Sequence, residues 1–152
     1  MPFRYRFQSL LKQKLYFFER AQLALAEARQ AYQRVEAERD RCLEEIRSHN
    51  EIIETGREKG LPVLRYLTLM EYLAFLEQQL QTIEVQLQQA AREVEEKKNA
   101  LLEREREVKM LETLEENDKR QYRYEKLQRE QKQVDEVAVF QDLARRKESG
   151  DN

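Results

Sequence analysis

The chain has 152 residues, 28 Lys and Arg against 30 Asp and Glu, and a formal net charge of −2. Its 3 Gly and 2 Pro compare with roughly 18 at average usage, and a chain so poor in turn residues cannot fold back often, which excludes sandwiches, barrels and Rossmann-type sheets. The balanced charge argues against nucleic acid as the main partner, because phosphate binding needs a positive excess, and no run approaches the roughly 18 uninterrupted apolar residues of a transmembrane helix.

The opening run from Met1 to Phe7 lacks a long apolar segment with a small-residue cleavage site, so it does not read as a signal peptide. Arg4, Arg6, Lys12, Lys14 and Arg20 against Glu19 make a local basic end that reads as solvated. From Phe7, alternating steps of four and three give Phe7, Leu11, Lys14, Phe18, Ala21, Leu25, Ala28, Tyr32, Val35, Arg39, Cys42, Ile46, His49 and Ile53, eleven of the fourteen apolar. This heptad stripe is a coiled-coil seam, and it predicts a first helix over about residues 3–54. The single Cys, Cys42, gives no disulfide framework and suits a reducing compartment.

A turn is expected at 55–62. Gly56 suits the left-handed residue that ends a helix, and Pro62 suits the first turn of the next. Thr68 with Glu71 forms a capping box where the second helix starts or restarts. The second stripe is Tyr66, Leu69, Leu73, Leu76, Leu80, Ile83, Leu87, Ala90, Val94, Lys97, Leu101, Arg104, Val108 and Leu111, twelve of the fourteen apolar. Two matched stripes and a short linker predict an all-α fold, a long antiparallel two-helix coiled-coil hairpin in a single domain over 1–152.

If Ile53 faces Tyr66, paired positions sum to about 119, and Phe7 faces residues near 112 by the constant sum of an antiparallel pair. The second stripe loses its apolar character at that point, continuing through Glu115, Asp118, Tyr122, Glu125 and Arg129. The seam is therefore expected to be paired from about 7 to 111 and to hold as one chain, a monomeric hairpin. Helix-prone sequence continues to about 146, and residues 147–152 read as a frayed end. The overhanging segment carries Leu127, Val134, Val137, Ala138, Phe140 and Ala144, with Tyr122 and Tyr124 before them. Such a helix gains little from propensity alone and asks for a partner.

Little points to chemistry. His49 and Cys42 lie in the stripe, where they read as seam residues. There is no Cys/His cluster at metal-ligand spacing and no Gly-rich phosphate loop. A two-helix seam encloses no dry pocket. No catalytic, cofactor or metal residue is expected, and recognition remains. Aromatic rings crowd the start (Phe3, Tyr5, Phe7, Tyr16, Phe17, Phe18) and recur near the turn (Tyr66, Tyr72, Phe75). Clustered rings either cap an open end or offer contact surface.

Three segments together resemble the FliJ family of the bacterial flagellar type III export apparatus. They are the start from Phe3 to Lys14 with its aromatic, basic and paired-Leu residues, the run Tyr72-Leu73-Ala74-Phe75-Leu76-Glu77, and the end from Lys109 through Leu111, Leu114 and Tyr122 to Glu130-Gln131-Lys132 and Asp135-Glu136-Val137-Ala138. The resemblance implies a cytoplasmic protein, peripheral at the inner membrane, in flagellum biogenesis and thus motility and chemotaxis. The family is similar to the central stalk of rotary ATP synthases. Implied partners are the export ATPase FliI, whose ring it promotes, and the export gate protein FlhA, with FliH and export chaperones as further contacts. By the same resemblance, gate contact falls on Tyr72, Phe75 and Leu76. ATPase contact falls on Phe3, Phe7, Leu11, Phe17, Leu114, Tyr122, Gln131, Lys132, Asp135 and Glu136. Competing readings are the equivalent stalk of a virulence secretion system, a generic coiled-coil scaffold and a holdase chaperone.

Overall fold

The computed structural model describes residues 2–150. Two helices account for nearly all of them, α1 over Gln8–Lys59 and α2 over Val63–Gly150, and among the described residues there is no strand. Ala, Leu, Gln, Glu, Lys and Arg dominate both helices, the residue types that lose least on entering a helix. The chain divides into two units, Tyr16–Glu105, and the residues through Leu15 together with those from Arg106 onward.

In the unit Tyr16–Glu105, α1 and α2 run antiparallel. Cys42 lies against the carbonyl of Leu76, His49 against that of Leu69, and Arg57 against Tyr66, so positions rise on one helix as they fall on the other. All stripe positions here are buried or half-buried. The deepest are Leu76 (4% exposed), Leu25 (5%) and Ile53 (6%). No described side chain is fully enclosed, because a groove between two helices is open on both flanks. Each buried leucine still contributes roughly 1.5–3 kcal/mol.

The reversal is tighter than the expected 55–62. Helix α1 continues to Lys59, and the left-handed residue is Gly60 (φ 82°), not Gly56. The Gly60 N–H donates to the Arg57 carbonyl at 3.3 Å, closing the last turn. Gly56 serves instead by being small. A Cβ there would meet the Leu61 side chain at 3.0 Å, so its absence lets Leu61 fold back onto the helix end. Helix α2 opens with the Tyr66 N–H donating to the Pro62 carbonyl. Thr68 does not restart it: its hydroxyl donates to the Leu64 carbonyl at 3.0 Å, one turn back within a continuous helix.

The other unit has Tyr5, Leu11, Val108 and Leu111 as its buried residues. The expected helix start near residue 3 is corrected to Gln8. The preceding segment stays non-helical because Tyr5 turns inward and its hydroxyl donates to the Leu111 carbonyl at 2.8 Å. Phe3 packs on Tyr122 with ring centroids 5.7 Å apart, and the Arg6 guanidinium lies 3.7 Å from the Asp118 carboxylate. This clasp corrects the expected end of the covered seam. Glu115, Asp118 and Tyr122 are half-buried, although α1 has ended. From Arg123 to Gly150 every residue is exposed. The expected fraying over 147–152 is corrected through Gly150, which remains helical; positions 151 and 152 lie outside the described residues, as does Met1.

Candidate interaction surfaces

In the unit Tyr16–Glu105, heptad geometry sorts the residues expected at the export gate. Leu73 and Leu76 point into the seam, so Tyr72 and Phe75, one residue before each, fall on its flank. Leu76 is buried and offers no side-chain surface. Tyr72 (46% exposed) and Phe75 (53%) do. Their rings stack at 6.1 Å and 29°. His49 of α1 adjoins them, its ring 4.9 Å from that of Tyr72. The surrounding groove is shallow, about 320 Å³, and includes Glu38, Arg41, Cys42 and Glu45.

Burial pushes the Cys42 thiol up, with the Glu45 carboxylate adding to it. The thiol is therefore a packing group rather than a nucleophile. On the exposed side of α1, hydrogen bonding from Arg47 holds the Glu44 carboxylate below its ordinary value. Such exposed pairs within one helix are screened by solvent and add little to stability.

Phe17 belongs to this unit too. Its ring is half-buried beneath the Arg104 guanidinium, 4.8 Å away, and abuts Tyr16 at 5.8 Å. The other residues expected at the ATPase belong to the second unit.

In that second unit, Phe3, Phe7, Leu11 and Tyr122 serve the fold. Leu11 is a seam residue, Phe3 and Tyr122 pack on each other, and Phe7 meets Tyr5 edge-on at 5.8 Å. Leu114 is 38% exposed. Gln131, Lys132, Asp135 and Glu136 are exposed on α2, with the Gln131 amide donating to the Asp135 carboxylate at 3.2 Å. Around them Leu127, Val134, Val137, Phe140 and Leu143 are each more than half exposed. That is a long apolar surface for a water-facing helix, and such surfaces mark contact sites.

Two residues have roles that the heptad pattern alone does not give them. Tyr5 closes the clasp, and its signal was the Phe-Arg-Tyr-Arg-Phe alternation, a spacing of two rather than of a helix. His49 adjoins Tyr72, and its signal was a polar residue on an apolar stripe. Among the described residues no group of three or more His, Cys, Asp or Glu is placed to hold a metal ion, and no helix is long and apolar enough to cross a membrane.

No curated protein and no solved structure matches the chain. A family model described as Flagellar FliJ protein matches residues 3–148. With nearly all of its length covered by that match, the chain belongs to the flagellar FliJ protein family.

Proposed function

We propose that this component of the flagellar export apparatus is a non-catalytic, stalk-like coiled coil that engages the export ATPase FliI through the exposed end of α2, promotes its ring, and couples it to the gate protein FlhA. The observation that carries the reading is the stretch from Arg123 to Gly150. It is helical, exposed throughout, and bears large apolar side chains. Helix propensity stabilises such a segment only weakly, and its apolar surface gains by burial against another protein.

Gate contact is assigned to Tyr72 and Phe75, with Leu76 beneath them holding the helix in register. ATPase contact is assigned to Gln131, Lys132, Asp135 and Glu136 together with the apolar residues among them. Phe3, Phe7, Leu11 and Tyr122 support that segment from its base. FliH and export chaperones are further partners at the cytoplasmic face of the membrane. The free protein is a monomer, because one chain supplies both sides of its own seam.

The test is an ATPase assay with the cognate export ATPase, titrating this protein to about one per hexamer. Stimulation with ring formation supports the stalk. No effect on a competent ATPase moves weight to a scaffold. The same apolar surface also suits a holdase, which predicts binding to many unfolded clients with no ring assembly.

A further inference from the structure

We infer that His49 is a positioning residue that holds Tyr72 and Phe75 as a preset aromatic surface for the partner docking at this flank of the hairpin. The inference rests on the gate contact proposed above and names the group that organises it.

His49 sits on the α1 stripe, half-buried. Its Nε2 lies 2.8 Å from the Leu69 carbonyl oxygen. A carbonyl only accepts, so Nε2 carries the hydrogen and donates. That bond fixes the imidazole across the seam, since its acceptor belongs to α2. So anchored, the ring meets Tyr72 at 4.9 Å and 60°, a tilted arrangement favourable for aromatic pairs. Tyr72 in turn stacks on Phe75. The result is a row of three rings reaching from the seam to the surface, its two outer members about half exposed.

Exposed aromatic side chains on a helix ordinarily sample several rotamers, and a partner that binds them must order them first. Here the ordering is made in advance by a ring on the opposite helix. An aliphatic residue at position 49 would fill the seam equally well, as Ile46 and Ile53 do on either side, but it could neither bond the carbonyl nor present a flat face to Tyr72. This explains a polar residue at an apolar heptad position without any catalytic role.

The test uses the full chain with four substitutions: His49→Ala, His49→Phe, Phe75→Ala and Tyr72→Ala. Affinity for the cytoplasmic part of the gate protein is measured by calorimetry, the Tyr72 ring signals by NMR, and the fold by far-UV circular dichroism. His49→Ala is expected to weaken binding about tenfold, the scale of two unfixed side chains. It should leave the hairpin helical and shift the Tyr72 ring signals to averaged values. His49→Phe, which keeps the ring and loses the donor, should recover part of the affinity, a rescue that general seam packing does not predict for Tyr72 order.

If His49→Ala binds as the parent does while Tyr72→Ala and Phe75→Ala do not, the positioning role is wrong and the gate contact stands. If Tyr72→Ala and Phe75→Ala bind unchanged, the gate contact is wrong. The positioning role is then decided by the NMR signals alone: averaging in His49→Ala supports it, and an unchanged Tyr72 ring overturns it. Should His49→Ala unfold, His49→Leu, which fills the seam without a donor or a flat ring, takes its place and the same outcomes decide.

Discussion

Leu76 and Phe75 are adjacent, apolar and alike in bulk, yet truncating them should have opposite consequences. Leu76 is 4% exposed and Phe75 53%, because consecutive helical residues point about 100° apart and only one meets α1. Leu76→Ala removes buried methyl and methylene groups from a seam that cannot close over the gap. Leucine-to-alanine changes in cores cost about 2–5 kcal/mol. The seam is open on its flanks and water relieves part of the void, which places this one at about 2–3 kcal/mol. That lowers the melting midpoint by roughly 5–10 °C for a chain of this size. It lowers the urea midpoint by about 1 M if m is roughly 2–3 kcal/mol/M. Phe75→Ala leaves no cavity and should change stability by less than about 1 kcal/mol. Urea titrations followed at 222 nm measure both, and m should be the same for parent and variants. If the two midpoints coincide, or if Phe75→Ala is the more destabilised, the register that turns Leu76 toward α1 is wrong. Gate binding should show the reverse order at temperatures where both variants are folded.

Three further outcomes are expected. Burial, Asp118 and Glu115, in that order, push the Tyr5 hydroxyl above its ordinary value of 10.0, with Arg6 opposing. The folded chain then keeps that proton longer than the unfolded one, so the clasp is at full strength below about pH 10 and weakens as the pH rises past it. A tyrosinate absorbance titration should show a late step that is absent in Tyr5→Phe. Cys42 should react slowly with a thiol reagent in the native chain and fast in urea, since it is buried and its thiol is pushed up; equal rates would place it outside the seam. A chain ending at Tyr122 should keep its urea midpoint within error, lose helical signal in proportion to the residues removed, and lose ATPase stimulation.

Much of the fold was legible because a heptad stripe reports its own buried face. Every one of the positions stepped off from Phe7 to Ile53 and from Tyr66 to Leu111 is buried or half-buried, including the polar members Lys14, Arg39, His49, Lys97 and Arg104. What was illegible lay where periodicity stops. Gly56 and Gly60 carry the same local signal, and only the close approach of Leu61 to one and the positive φ of the other separate them. The clasp depends on side chains spaced by two in a non-helical segment, which no heptad count detects.

The candidate surfaces show a different limit. Leu76 was named twice from sequence, once as a seam position and once by family resemblance as a gate contact. Its burial agrees with the seam position. Resemblance marks a segment, whereas the period marks which of its residues face out. Taken together, the two mark Tyr72 and Phe75 as the outward-facing residues of that segment. His49 was legible as a seam residue but not as a donor, because the carbonyl it meets lies on α2, 20 residues along the chain.

The central claim is that the exposed end of α2 is the part of this protein that enters the ATPase. Hydrogen–deuterium exchange of the full chain, free and with the cognate export ATPase, tests it most directly. The amides from Arg123 to Gly150 should exchange fast in the free chain, as expected of a helix stabilised by no packing, and should slow on binding, while those around Leu25, Leu73 and Leu76 are slow in both. Unchanged exchange over 123–150 in a complex that forms, with new protection confined to the residues between Tyr16 and Glu105, would contradict it.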